Sequence, residues 1–326
     1  MPDTRAAPPP SLAPQIAPPP LADSYVALQD YREKAPIGID IDYVNSRYFN
    51  ADGWNWGYSD VEGAWNDTHQ DLSQISGDVY INGLPSVALL DAVPNSSFQE
   101  FKDHGTAVVG ILSSDNNSFG TTGLVPSAAV RLSTHTPATG YNPAAAITAA
   151  ANQFWKGSAI LLEMQTNAAF DCNGDADKSP AYVPIEAEAA SKAAIKTAVA
   201  NGRIVVEAAG NGNCDLDQAG FKGAFDVNDL SKDSGAIIVG AGEKVARKKA
   251  WFSTYGSRVD THAEGDNRIY TTGYGNFYMG EGEDLWYMQS FGGTSGASPI
   301  VTGAAVSLSS ILWEYHGSFW NPKEMR

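Results

Sequence analysis

A segment rich in glycine and serine near the carboxyl end of the chain has the residue types of a nucleophilic site. Ser295 lies within residues 292–299 and precedes an apolar, alanine-rich stretch of helical character, residues 300–308. At a helix N-terminus, free backbone N–H groups and the positive end of the dipole favour developing negative charge. Ser295 is therefore a candidate nucleophile. A glycine-rich turn capped by Ser295 or Ser298 is the alternative.

A candidate general base precedes another apolar stretch. His104 lies in Asp103-His104-Gly105-Thr106, before residues 107–112, and is expected at the end of a secondary-structure element. A histidine pKa near 6.5 suits a general base at neutral pH if a carboxylate holds the correct tautomer. A capping or surface histidine without catalytic duty would also fit this pattern.

The orienting carboxylate is harder to choose from sequence. Asp60 follows the alternating aromatic run Trp54, Trp56 and Tyr58, which is typical of a strand, and so is predicted at a strand end. A solvated loop aspartate is the alternative. Five acidic residues compete with it for the role: Asp40, Asp42, Glu62, Asp67 and Asp71.

An amide follows a predicted buried strand. Residues 204–208 are short, apolar and β-branched, and they lead into Ala209-Gly210-Asn211-Gly212. The Asn211 side chain could donate a hydrogen bond to an oxyanion in a cleft, whereas a turn asparagine with no chemical role is the alternative.

The pattern of elements predicts an α/β fold with a largely parallel central sheet and helices on both faces. Helices are expected from Asn142-Pro143 to about Trp155 and from about Ile185 to Asn201-Gly202. In such sheets, sites gather beyond the carboxyl ends of the strands. The predicted strands are residues 87–90, 129–132, 159–164, 204–208 and 236–239.

Composition limits the possible partners. With 37 acidic and 21 basic residues among 326, the net charge of -16 opposes binding to nucleic acid. No uninterrupted apolar run is long enough to predict a membrane span, and the first residues lack the pattern of a signal peptide. Residues 1–22 are proline-rich and predict a disordered leader or linker, and residues 23–326 predict one domain.

The four segments together resemble the subtilisin-like serine peptidases, the subtilases. The resemblance lies in Gly293-Thr294-Ser295 with Ala297-Ser298-Pro299, in His104-Gly105-Thr106 and in Ala209-Gly210-Asn211. A looser match, Asp60 with Gly63 and His69-Gln70-Asp71-Leu72, favours Asp60 over Asp40 or Asp42.

The resemblance implies a subtilisin-like three-layer fold and a serine endopeptidase with the triad Asp60, His104 and Ser295. It implies Asn211 in the oxyanion hole and an acyl-enzyme intermediate. Peptides or proteins are the expected substrates. The substrate groove would be formed by Gln165, Thr166, Asn167, Ala208, Ala209 and Gly210.

Two other activities stay open, a module that binds peptides without cleaving them and an acyl-transferring transpeptidase. No cofactor is expected to be needed for catalysis. The chain is also expected to lack a folding pro-domain that many relatives carry, and to be truncated after the helix start at Asn321-Pro322.

Two cysteines and an acidic loop lead to expectations about covalent and metal stabilisation. Cys172 and Cys214 could form a disulfide, which suits a secreted protein, or stay as free thiols. Three Asn-x-Ser/Thr triplets also hint at secretion. Asp171, Asn173, Asp175 and Asp177 alternate as in a structural calcium loop, but an acidic solvated loop is the alternative because no glutamate closes the pattern.

Overall fold

A parallel β-sheet forms the centre of the molecule in the computed structural model, which describes residues 24–75, 80–81, 84–85, 98–136, 140–174 and 181–326. Within these residues, the sheet has six strands: Gly57–Glu62 (β1), Ala129–Thr134 (β4), Ala159–Leu162 (β5), Ile204–Ala208 (β8), Ile237–Gly242 (β9) and Thr261–Glu264 (β10). They lie in the order β10-β9-β8-β5-β1-β4, and each neighbouring pair is parallel.

Helices cover both faces of this sheet, which makes the fold three-layered as predicted. The helices α2 (Phe98–Ser113) and α6 (Thr294–His316) pack on one face. The helices α3 (Pro143–Ala151) and α4 (Ala189–Ala200) pack on the other. The remaining helices are α1 (Ile41–Arg47), α5 (Lys222–Phe225) and α7 (Pro322–Met325).

Smaller antiparallel pairings lie outside the central sheet. The strand β6 (Gln165–Asn167) pairs with β7 (Tyr182–Pro184), close to the carboxyl end of β5. The strand β13 (Trp286–Phe291) pairs with β11 (Ile269–Thr272) and β12 (Tyr278–Met279), and it leads directly into α6. The strands β2 (Tyr80–Ile81) and β3 (Leu84–Pro85) pair antiparallel.

Most of the predicted elements form, with shifted ends. The predicted strand at residues 204–208 matches β8, and Asn142 caps α3 by accepting a hydrogen bond from the Ala145 N–H. The helix α3 ends at Ala151, before Trp155, and α4 begins at Ala189 after a 3₁₀ turn at Ile185–Ala187. Asn321 and Glu324 form the capping box of α7. The predicted strand at 87–90 lies outside the described residues.

The helix α6 is the long apolar helix at the core of one face. Its length and composition would allow it to cross a membrane, but 72% of its apolar 18-residue stretch is buried inside the protein. Burial against β8, β9 and β10 explains why so apolar a helix occurs here.

Candidate active site

Two acidic side chains of β1 lie on the same face of the sheet. Successive residues of a strand alternate between faces, so Asp60 and Glu62 both belong to the face that α2 covers. Tyr58, also on this face, makes a 2.8 Å hydrogen bond with Ser113 at the end of α2. Ser59, on the opposite face, donates to the carbonyl of Ala150 in α3. Glu62 is the last residue of β1 and therefore lies nearest the carboxyl edge.

His104 lies inside α2 and not at its beginning, which corrects the expected placement. The helix begins at Phe98, six residues before His104, so the apolar stretch at residues 107–112 is its second half and not its start. Gly105 allows a close approach, since a Cβ atom there would lie 2.2 Å from the carbonyl oxygen of Ala64. The helix is thereby held against the segment that follows β1.

Glu62, and not Asp60, contacts His104. The Nδ1 atom of His104 makes a short hydrogen bond with Oε1 of Glu62. Asp60 is two residues back along the strand, where its Oδ2 accepts a 2.8 Å hydrogen bond from the indole N–H of Trp65. The expectation that Asp60 orients His104 is therefore corrected, because the strand continues two residues further than its aromatic pattern indicated.

Burial and the neighbouring Glu62 shift the pKa values of both Asp60 and His104. Burial, together with the neighbouring charge of Glu62, raises the pKa of Asp60 well above its ordinary value. Burial by itself would lower the pKa of His104, but the carboxylate of Glu62 outweighs it and the pKa is raised. An imidazole in this setting is readily charged while Glu62 is ionised.

Ser295 lies in the first turn of α6 and lines one cleft together with His104. This acidic cleft is lined by Glu62, Glu100, His104, Glu163, Gln165 and Ser295, among others. Gly293, directly before the helix, has φ +77°, a conformation that favours glycine. Ser295 and His104 are largely buried, at 8% and 9% exposed, and both line the cleft.

Asn211 is fixed beside the start of α6. Its Oδ1 accepts hydrogen bonds from the backbone N–H of Thr294 at 2.9 Å and from the Thr294 hydroxyl at 3.1 Å. Because a backbone N–H can only donate, these bonds set the orientation of the amide. The Nδ2 group is left as a donor next to Gly293. A Cβ atom added to Gly293 would lie 3.2 Å from this Nδ2 atom.

The two segments that are expected to bind substrate lie on either side of Asn211. Gln165, Thr166 and Asn167 form β6, and the Gln165 Oε1 accepts a 2.9 Å hydrogen bond from the Asn211 N–H. Ala208 ends β8, and Gly210 follows Ala209 with φ +94° and donates to the Thr294 hydroxyl at 3.2 Å. The two segments are thus tied to the helix that carries Ser295.

Cys172 and Cys214 form a disulfide, with Cα atoms 5.1 Å apart. The bond joins the loop after β6 to the segment just beyond Asn211. The Asn173 amide strengthens the same junction by donating a 2.8 Å hydrogen bond to the carbonyl of Gly212.

The described part of the acidic loop contains no metal cluster. The Oδ1 of Asp171 accepts hydrogen bonds from the N–H groups of Asn173 and Gly174, so this carboxylate folds back on its own turn. Asp175 and Asp177 lie outside the described residues. Within the described ranges, no group of three or more His, Cys, Asp and Glu side chains could hold a metal ion. Calcium binding at this loop stays a prediction.

Glu163 was not predicted from the sequence and is an acidic residue of the cleft. It follows β5 and is buried, and its Oε1 lies 2.5 Å from the Ser298 hydroxyl. Its position could have indicated a role for Glu163, because a polar residue directly after a buried strand lies at the edge of the sheet where sites gather.

The sequence profile of the Subtilase family matches residues 89–326 of this chain. The chain belongs to the subtilase family. The match includes His104, Asn211 and Ser295 but begins after β1, so it does not cover the segment with Asp60 and Glu62.

Individual relatives agree with this family. The chain is 28% identical over 238 residues to Subtilisin Savinase of Lederbergia lenta, an alignment that covers 73% of this chain and 70% of that protein. It is also 28% identical to an alkaline protease of Shouchella clausii, of which it spans about half the length, 50%. The fold resembles the crystal structure of a cold adapted subtilisin-like serine proteinase, with a TM-score of 0.55, 19% identity and 87% of each chain covered. As a subtilase, the chain is a serine-type peptidase at the level of the family.

Proposed function

We propose that this subtilase is an active serine endopeptidase in which Glu62, His104 and Ser295 form the triad. The observation that carries the proposal is the hydrogen bond between Glu62 and the Nδ1 atom of His104, at a cleft that Ser295 also lines. A carboxylate on Nδ1–H leaves Nε2 unprotonated, which is the tautomer that a general base needs.

In the proposed reaction, the Ser295 hydroxyl attacks the carbonyl carbon of a peptide and His104 accepts its proton. His104 then returns the proton to the leaving amine, and water hydrolyses the acyl-enzyme. The Nδ2 of Asn211 and the backbone N–H of Ser295 would donate to the oxyanion. Gln165, Thr166 and Asn167 on one side, with Ala208, Ala209 and Gly210 on the other, would hold the substrate backbone.

Substrates are proposed to be peptides or proteins outside the cell. The disulfide supports an extracellular site, because such bonds persist in oxidising compartments. No cofactor is needed for the chemistry of these residues, and a structural calcium ion near Asp171 is retained as a proposal.

A fluorophosphonate probe and a peptide library test the proposal together. The wild-type chain should be labelled and should release peptide fragments, because an activated serine reacts with both. Ser295→Ala should lose both activities. Ser307→Ala is the matched control, since its hydroxyl lies on the same helix and is buried without a hydrogen-bond partner among the described residues.

Labelling that survives Ser295→Ala would refute the assignment of the nucleophile. A wild-type chain that folds but neither reacts with the probe nor cleaves any peptide would refute the endopeptidase proposal. Mass analysis of the products separates hydrolysis from transfer to an added amine.

A further inference from the structure

The contact between the buried carboxyl of Glu163 and the Ser298 hydroxyl indicates the protonation state of Glu163. The Ser298 Oγ lies 2.7 Å from the carbonyl oxygen of Thr294 and 2.5 Å from Oε1 of Glu163. A hydroxyl has one hydrogen, and the carbonyl can only accept. Both contacts can therefore be full, two-centre hydrogen bonds at the same time only when Glu163 is a protonated acid that supplies the second hydrogen; an ionised Glu163 would have to share one hydrogen with the carbonyl.

The second oxygen of Glu163 supports the neutral form. Oε2 is buried and has no hydrogen bond of ordinary geometry among the described residues, although the Ser295 hydroxyl also lies close enough to interact with the carboxyl group. An ionised carboxylate with one oxygen left bare would carry a large desolvation cost, whereas the neutral acid would carry a smaller one. Within the same described ranges, no Lys or Arg forms an ion pair with Glu163 to offset that cost.

Among the groups that face Glu163, the carboxyl groups of Glu62 and Asp60 oppose its ionisation, whereas the hydroxyls of α6 favour it. The helix α6 presents the hydroxyls of Ser295 and Ser298, which carry no charge. The neighbouring elements contribute carboxyl groups and two histidines, one of which, His135, has its pKa lowered to about 4 by burial. The titratable groups are Asp60 and Glu62 from β1, Glu100 and His104 from α2, and His135 after β4.

We propose that Glu163 is a positioning residue that holds the first turn of α6 through Ser298 while it is protonated, and that its ionisation reduces peptidase activity as the pH rises. The inference rests on the proposed function, because it concerns the same helix turn that presents Ser295. A carboxylate at this position would also place negative charge beside Ser295, where the oxyanion develops, and would destabilise the transition state.

The electrostatics agree with this geometry. Burial raises the pKa of Glu163 well above its ordinary value. Hydrogen bonding by Ser298 and Ser295 opposes the rise, and the charges of Glu62 and Asp60 add to it. The residue can therefore stay neutral at pH values where an exposed glutamate is fully ionised.

The decisive variant is Glu163→Gln, whose amide can donate to Ser298 at every pH. Wild-type kcat/KM, measured against one peptide over a wide pH range, should fall on the alkaline side. For Glu163→Gln, normalised to its own maximum, that fall should disappear or move to higher pH. Glu163→Ala cannot donate to Ser298 and should lower kcat at all pH values.

Glu207→Gln is the matched control, because it removes a buried carboxyl from the adjacent strand β8. The hydrogen bond from the Glu186 N–H to this carboxyl lies away from the cleft. This variant should keep the wild-type alkaline fall. If Glu163→Gln also keeps it, or if the wild type has no alkaline fall, the inference is wrong.

A readout independent of activity separates this inference from the proposed function. The infrared difference spectrum between wild type and Glu163→Gln should contain the C=O band of a protonated acid at neutral pH. Absence of that band would overturn the inference even in an active peptidase. A wild-type chain that has the band but no Ser295-dependent labelling would overturn the proposed function alone.

Discussion

At the scale of single residues, the main result is that two similar acids on one strand have different surroundings. Glu62 is at the last position of β1 and reaches His104, whereas Asp60 lies deeper and is held by the Trp65 indole. Two residues of strand rise about 6.6 Å, which is enough to separate a group at the cleft from one in the core.

Exchanging each acid for its amide tests this distinction. Glu62→Gln should lower kcat by on the order of 10⁴-fold, because the amide no longer holds the Nδ1–H tautomer of His104. Asp60→Asn should change kcat far less, since an amide oxygen can still accept from Trp65. Steady-state kinetics on one peptide provides the measurement, and circular dichroism checks that each variant is folded. The opposite order of effects would restore Asp60 to the triad.

At the scale of elements, the site depends on how loops after β5, β8 and β13 are joined to one another. Asn211 links the end of β8 to α6 through Thr294, and it also links to β6 through Gln165. The disulfide then ties the loop after β6 to the segment after Asn211. These connections hold the oxyanion donor and the substrate strand in a fixed relation.

Loss of the disulfide should therefore reduce stability as well as order near Asn211. For Cys172→Ala combined with Cys214→Ala, we expect a loss of about 4 kcal/mol in unfolding free energy, the value for a crosslink that closes a loop of this length. The two cysteines are 42 residues apart. Urea unfolding measures the change, and reduction of the wild type should reproduce it. An unchanged midpoint would show that the bond contributes nothing to stability.

At the scale of the whole molecule, buried carboxyl groups should make stability depend on pH. Burial raises the pKa of Asp71 to about 7 and that of Glu264 to about 7. It also raises the pKa values of Asp60, Glu163 and Glu207 well above their ordinary values. Each of these groups binds its proton more tightly in the folded chain than in the unfolded chain. Their contribution is present at low pH and is lost as the pH rises through the folded values.

Two histidines act in the opposite sense over a narrower range. Burial lowers the pKa of His69 and of His135 to about 4, so their contribution grows up to about pH 6.5 and is constant above it. Above that pH, the acids alone decide the trend among these groups. We therefore expect a lower unfolding free energy at about pH 8 than at about pH 6.

Urea unfolding at both pH values gives the measurement. Glu264→Gln should make the decline smaller, because it removes one of the contributing acids, which is buried with both oxygens unpaired among the described residues. Equal or greater stability at the higher pH would contradict the expectation.

The sequence alone determined the fold class and most of the local chemistry. Short apolar strands alternate with alanine-rich helices, and this local pattern is sufficient to predict a parallel sheet with two helical layers. The segments around Ser295 and Asn211 also follow local rules about helix starts and strand ends, whereas His104 was singled out by its residue type and neighbours although its expected place at a helix end was wrong.

Tertiary structure decided which groups meet. The choice of Glu62 over Asp60 depends on where β1 ends and on the start of α2, which lies six residues before His104, and no local pattern fixes either point. The neutral state proposed for Glu163 likewise depends on a contact across 135 positions of sequence, from Glu163 to Ser298. Local propensities set the elements, but hydrogen bonds and burial between distant segments arise only when the sheet and its helices pack together.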